Sequence, residues 1–361
     1  MTVSPLLQQE DRTYVRHQNR RLIYFGGCDY FRLASHPQVL KALTTGLSRY
    51  GLNVAASRLT TGNHAVYEQL EVALARFFRV ESATLAGSGY VPSLMVAQAL
   101  CGRFSHALID EHAHGCLVDA AQLLDCPVLK FKHRDAADLA RIIQRLGDLK
   151  PLLLTDGMFS HDGQIAPLKD YLAALPSGGM ILLDDAHGAG VLGKNGLGSA
   201  EHAGVSSKRI IRTITLSKAF GVYGGAVLGS HELRAAIVAR SRVFVGNTPL
   251  PLPLAYAALK AVAILKTDKT LRTRLLRNTA YVKDSLVAGG FAVTGSPSPI
   301  IPFVPKNGRQ VARLTRRLLA KGIYPPFIKY PGGPPGGYFR FALSSEHTRS
   351  QLDGLIAVLL G

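Results

Sequence analysis

Four apolar runs in the middle of the chain each end in, or close on, a polar or ionisable residue: HALID (106–110), PLLLTD (151–156), MILLDD (180–185) and RTITLSK (212–218). A strand that is apolar at nearly every position has to be covered on both faces, the condition of a parallel sheet flanked by helices. In such sheets chemistry collects beyond the carboxyl ends of the strands. ATLAGSGY (83–90) adds a strand end, a glycine turn and a helix start, and GGAVLG (224–229) follows the last run closely. Helical patterns span about 64–80 and 250–266. Together these features predict a wound α/β domain.

After about residue 270 the rhythm changes. A basic helix (271–288) leads to FAVTG and IIPFV, then a second helix (309–321), the Pro/Gly tract PPFIKYPGGPPGG (325–337), FRFAL, and a final helix from about residue 347. The expected layout is an N-terminal segment (1–40), a large domain (41–250) and a smaller α+β domain (251–361). The Pro/Gly tract reads as a shaped loop between strands, since apolar runs flank it closely. A chain of 361 residues is long enough for this arrangement.

The net charge of +18 is unevenly placed. Residues 1–200 hold 19 Lys and Arg against 18 Asp and Glu, whereas residues 201–361 hold 23 against 6. The densest patches, 266–277 and 313–321, carry their charge at helical spacing among Leu and Val. They read as solvated helix faces, with attraction to a polyanion such as coenzyme A or an acyl-carrier protein as the functional alternative. No aromatic–basic RNA motif or zinc-finger spacing occurs, so nucleic acid is not an expected partner. The four cysteines (28, 101, 116 and 126) form no CxxC pair. Scattered thiols fit a reducing, cytoplasmic setting. The first twenty residues contain no apolar core of a secretory signal, and no run reaches the length of a membrane span.

One constellation carries chemistry. Asp184-Asp185-Ala186-His187 closes one apolar run, and Thr215-Leu216-Ser217-Lys218 closes another about thirty residues later. A lysine in a glycine-rich strand end is a candidate Schiff-base nucleophile. Pyridoxal 5′-phosphate (PLP) needs a lysine for its aldehyde, an acid at its pyridine nitrogen and donors for its phosphate. Asp184 can supply the acid, which favours the electron-withdrawing pyridinium. His187 can donate to the phenolic oxygen. Each signal alone has a plain structural reading: a strand-end Asp is often structural, and a lone Lys is usually a surface charge. DDAH without a third ligand nearby is a poor metal site, and no metal is expected.

Further motifs join these. The chain contains SRLTTGNH (57–64), SGY (88–90), DEHAHGCLVDAA (110–121), DGMFSHDGQIAPL (156–168), DDAHGAGVLGKNGLG (184–198), TLSKAFGVYGG (215–225) and FRFALSSEHT (339–348). In combination the sequence resembles the α-oxoamine synthase family of fold-type-I PLP enzymes, from about residue 22 to the C-terminus. The resemblance implies a seven-stranded, mostly parallel sheet in a large domain, a small α+β domain, and a homodimer with a shared active site. It implies a decarboxylating condensation of an amino acid with an acyl-CoA or acyl-carrier-protein thioester. Within that chemistry L-alanine and a pimeloyl thioester are the expected substrates. The alternatives are a glycine- or serine-using relative, a specialised aminoketone synthase, or an altered member that binds a partner without turnover.

The resemblance also implies roles. Lys218 would carry the cofactor and move the α-proton, Asp184 would hold the pyridine nitrogen, His187 the phenolic oxygen, and His114 would stack on the ring. Ser160 would lie near the phenolic oxygen or substrate. Ser88, Gly89 and Tyr90 would border the phosphate, with Thr215 and Ser217 adding hydroxyls and Thr248 reaching in from the second subunit. Arg340 would grip the substrate carboxylate. Arg58 is read as a structural ion pair, and His64 and His347 as cap or core residues. Four positions depart from the family pattern: Cys28 stands for an Asn that helps hold the carboxylate, Arg32 for a Gly, Ser93 for an Asn and Cys116 for a Ser. The segment before Asp29-Tyr30 is short, so an N-terminal helix over the acyl substrate is expected to be reduced or absent.

Overall fold

A computed structural model describes residues 5–147, 149–330 and 333–361. They form two compact units, one of the described residues within 36–159 and 165–268 and one of those within 5–35, 160–164 and 269–361. Part of the Pro/Gly tract, residues 331–332, lies outside the described residues.

The larger unit is built on a seven-stranded sheet. Across it the strands run Ser82–Ala86, Gly225–Gly229, Ile210–Thr215, Met180–Asp184, Leu152–Asp156, Ala107–Asp110 and Val128–Phe131. Only Gly225–Gly229 is antiparallel to its neighbours. The other six strands therefore end at one edge of the sheet. Alternate residues of the central strands feed two separate cores: Ile109, Leu152, Leu154 and Leu182 enter one, and Leu108, Leu153, Ile181 and Leu183 the other. This burial on both faces is why those strands are apolar throughout.

Helix Leu252–Thr267 packs on Pro37–Tyr50 and on Ala65–Phe78. Gly46 permits the first of these approaches, since a Cβ there would lie 3.0 Å from the Pro253 Cα. The boundary expected at residue 251 therefore falls one helix later, after residue 268. The helix follows its apolar face (Leu252, Ala255, Ala258, Val262 and Leu265 are all buried) into the larger unit.

The smaller unit holds two three-stranded antiparallel sheets. Gln8–Asp11, Tyr14–His17 and Arg20–Ile23 make one; Ile300–Phe303, Tyr338–Ala342 and Phe327–Ile328 make the other, with Tyr338–Ala342 in the middle. Helices Lys269–Ala288, Gly308–Ala320 and Arg349–Leu360 close its core around Phe25, Ile301, Phe339, Phe341 and Leu355. Residues 5–35 thus belong with the C-terminal unit rather than standing as a separate segment. FAVTG (291–295) forms no strand. Among the described residues no helix is long and apolar enough to cross a membrane.

Candidate active site

The carboxyl edge of the large sheet carries a cavity of about 210 Å³ lined by Ser88, Gly89, Tyr90, His114, Asp156, Asp184, Ala186, His187, Thr215, Ser217, Lys218 and Tyr223. Nine of the expected residues are therefore assembled by four strand ends, and a fifth adds Asp156. Strand Ser82–Ala86 turns through Gly87–Tyr90 into helix Val91–Ala99, with Pro92 in its first turn. The free N–H groups of such a helix start form an anion site. Gly89 has to be glycine: a Cβ there would lie 2.4 Å from Thr215 Oγ1 and 2.5 Å from its Cβ.

Lys218 lies just past the end of strand Ile210–Thr215, in the turn that returns to Gly225–Gly229. The turn is tied by Leu216 N–H to Gly224 O (2.9 Å), Val222 N–H to Leu216 O (2.9 Å) and Gly221 N–H to Lys218 O (3.0 Å). Thr215 and Ser217 do double duty. Their hydroxyls are 2.7 Å apart, and Thr215 Oγ1 also accepts the Ser217 N–H at 3.2 Å, so they brace the turn while lining the cavity.

Asp184 and Asp156 are register partners on adjacent parallel strands. Asp184 Oδ1 accepts the Ala186 N–H at 3.0 Å, and its Oδ2 accepts from the Cys116 thiol at 3.1 Å. Asp156 Oδ2 accepts the His114 N–H at 2.8 Å. Burial pushes the Asp156 carboxyl well above the usual range, and the Asp184 charge adds to it. One of two adjacent acids is thus driven toward neutrality, which limits the negative charge under the cavity. His114 is held toward its neutral form by burial, with the Lys218 charge acting in the same sense. A neutral imidazole suits contact with a flat ring. Asp185 points the other way. Ser199 N–H and Oγ–H bind its carboxylate at 2.9 and 2.5 Å, and burial lifts its pKa to about 6.

Cys28, Ser160 and Arg340 are brought together in the smaller unit. Arg340 Nη1 donates to the Ser160 carbonyl at 3.4 Å, and Nη2 lies 3.8 Å from Cys28 Sγ. Arg32 adopts φ +54°, the left-handed region, which accounts for a glycine in the family pattern there. Its side chain is buried and donates to the Tyr24 carbonyl at 3.0 Å. Thr248 lines a different cavity, beside Arg58, Tyr67, Phe244 and Asn247. Arg58 pairs there with buried Glu71, which also takes Arg234 at 2.9 Å, so its ion-pair reading agrees with the structure. His64 caps helix Ala65–Phe78 by accepting the Val66 N–H at 3.2 Å.

The model of the aminotransferase class I and II family matches residues 23–359. The chain belongs to this family. Within the aminotransferase class I and II family, it is 39% identical over 345 residues to an 8-amino-7-oxononanoate synthase of Thioalkalivibrio sulfidiphilus, covering 94% of this chain and 88% of that one. A second 8-amino-7-oxononanoate synthase, from Symbiobacterium thermophilum, is 34% identical over 355 residues, covering 97% and 91%. Among solved structures it is similar to serine palmitoyltransferase of S. paucimobilis with bound PLP (TM-score 0.90, 27% identity, 98% of this chain and 90% of that one). It is also similar to 8-amino-7-oxononanoate synthase of Francisella tularensis (TM-score 0.81, 26% identity, 94% and 97%).

The residues of this family member fit PLP. A lysine and a hydrogen-bonded carboxylate line one cavity, and Gly89 lets the helix start at its edge pass close against Thr215. Sequence reasoning overlooked Asp156, Ala186 and Tyr223 as lining residues. Asp156 shows the same signal as Asp184, an acid ending an apolar run. Tyr223, a half-exposed residue in the Lys218 turn, shows none. His114, Cys116 and Asp184 each bring a ligand atom within 4.8 Å of the others, so a third metal-type ligand does stand near Asp184. The thiol and the carboxylate already bond each other, however, and the cluster is a hydrogen-bond chain as it stands.

Proposed function

We propose that this enzyme is an 8-amino-7-oxononanoate synthase. It would join the α-carbon of L-alanine to the acyl carbon of a pimeloyl thioester, releasing the thiol and CO₂. The reading is carried by the cavity in which Lys218, Asp184, His187 and His114 converge at the sheet edge, and it is supported by the names of the relatives.

PLP, when bound, supplies a sink for the electrons left on the substrate carbon. The chain supplies the rest. Asp184, Lys218 and His187 would hold the pyridine nitrogen, the aldehyde carbon and the phenolic oxygen, and His114 would cover one ring face. The N–H groups after Ser88, with the Thr215 and Ser217 hydroxyls, would take the phosphate. The Lys218 Nζ would remove the α-proton and later return one to the same carbon. Arg340 would orient the amino-acid carboxylate through its planar fork. Cys28 stands beside that fork in place of an amide donor, and a thiol donates weakly, so Arg340 would bear more of the binding. Thr248 would serve the phosphate of the partner subunit in a homodimer, and the reducing cytoplasm suits the four free thiols.

The test is to supply the purified, PLP-loaded enzyme with pimeloyl-CoA, pimeloyl-carrier protein and a panel of amino acids. Formation of 8-amino-7-oxononanoate and CO₂ from L-alanine alone is the expected result. Turnover with glycine or serine in its place would move the chain to another α-oxoamine synthase activity, and PLP binding without any turnover would favour a binding role.

A further inference from the structure

Two of the four departures from the family pattern touch each other beneath the acid that faces the cofactor site. Cys116, fully buried, donates its thiol to Asp184 Oδ2 at 3.1 Å. Its sulfur also lies 3.0 Å from His114 Nδ1 and receives the Ser93 hydroxyl at 3.9 Å. Ser93, equally buried, is 3.3 Å from Thr213 Oγ1, on the strand beside Asp184. Thr213, Ser93, Cys116 and Asp184 thus form one continuous polar chain through an otherwise apolar core.

We infer that Cys116 is a positioning residue for the cofactor: it anchors the second oxygen of Asp184, which the Ala186 N–H anchors at the first, so that the carboxylate is held in one orientation. This rests on the PLP reading above. Three observations favour a hydrogen-bonding role over simple filling of space. The thiol reaches a charged acceptor at bonding distance. It has no solvent to turn to. And the residue beneath it, Ser93, is a hydroxyl rather than the amide of the family pattern, sized to meet a sulfur. Burial and the adjacent Asp184 charge also drive the thiol strongly toward its protonated, donating form.

Two variants separate bonding from packing. Cys116→Ser keeps a donor and loses a little volume; Cys116→Val loses the donor without leaving a cavity, its second methyl adding volume. PLP affinity is measured on the apoenzyme in EDTA by the growth of the visible band, and that band is then titrated with pH. The expected result is affinity within about threefold of wild type for Cys116→Ser and about tenfold weaker for Cys116→Val, or about 1.4 kcal/mol. The pH midpoint of the band should shift in Cys116→Val only, with thermal midpoints of the two apoenzymes within a few degrees. Ser93→Ala should weaken PLP binding less than Cys116→Val does. Equal affinity and equal pH midpoints for Cys116→Val and wild type would overturn the inference, as would Cys116→Ser behaving like Cys116→Val. Failure of the underlying reading has a different signature: wild type itself would develop no visible band, which overturns both.

Discussion

A methyl group at residue 89 has nowhere to go. It would press on Thr215, whose hydroxyl is already committed to Ser217 and to the Gly224 carbonyl at 3.2 Å. Rotating Thr215 away breaks the brace of the Lys218 turn; leaving it in place moves the helix start proposed to receive the phosphate. Gly89→Ala should therefore weaken PLP binding at least tenfold, read by titrating the apoenzyme, and the idea fails if affinity is unchanged. Arg340 makes a second residue-scale test. Its guanidinium lies against Ser160 O and a weak donor, Cys28, with Tyr30 buried beside that thiol. Arg340→Ala should raise the KM for the amino acid by about a hundredfold and leave the KM for the thioester within about threefold. Arg340→Lys should recover only part, because a point charge does not reproduce the fork. Equal effects on both KM values would count against a carboxylate clamp.

At the scale of elements, the loop after Tyr338–Ala342 depends on an uncharged histidine. His347 Nδ1 accepts the Ser344 N–H at 2.9 Å, so the proton sits on Nε2, which lies 3.1 Å from the Tyr24 carbonyl. Burial, and then the nearby Arg32 charge, lower its pKa to about 3. The unfolded chain takes up that proton near pH 6.5 and the folded one does not. The stabilisation is therefore complete above about 6.5 and is lost as pH falls from there toward 3. The thermal midpoint should drop across that window, and His347→Gln should flatten the drop; an unchanged slope would remove His347 as its source. The elements themselves differ in how far they are legible in the sequence. Strands buried on both faces leave uninterrupted apolar runs, and the long helices leave their spacing, so the large sheet and its carboxyl edge can be read directly. QQED, YVRH and RRLI bury only Val15 and Leu22, too little for any pattern to show three strands. Helix Leu252–Thr267 is apolar enough to be recognised, but nothing in it says which unit it joins. Cys116 is visible as a departure from the family pattern; its contact with Asp184 depends on two segments 68 residues apart.

Across the whole molecule, charge is the dominant asymmetry. Between residues 285 and 345 there are eight Lys and Arg and no Asp or Glu. Two copies of a chain with a net charge of +18 repel, and salt screens that repulsion over about 10 Å at 0.1 M. A homodimer should therefore sediment at twice 38.8 kDa and should tighten as salt is raised from low to physiological levels. A fully active monomer would refute the shared site, and a dimer that loosens with salt would mean that opposite charges, not like ones, face each other across it.

The backbone passes between the two units four times, at residues 35/36, 159/160, 164/165 and 268/269. The visit of residues 160–164 is only five residues long, yet it delivers the Ser160 carbonyl to Arg340. No single cut in the gene yields two self-sufficient halves: severing after residue 268 strips the smaller unit of its first sheet and of that short visit. The candidate cofactor cavity and the proposed carboxylate clamp must consequently be inherited, transplanted or expressed as one piece, and an engineer seeking to exchange that clamp for another specificity has to splice three separate stretches of coding sequence rather than one.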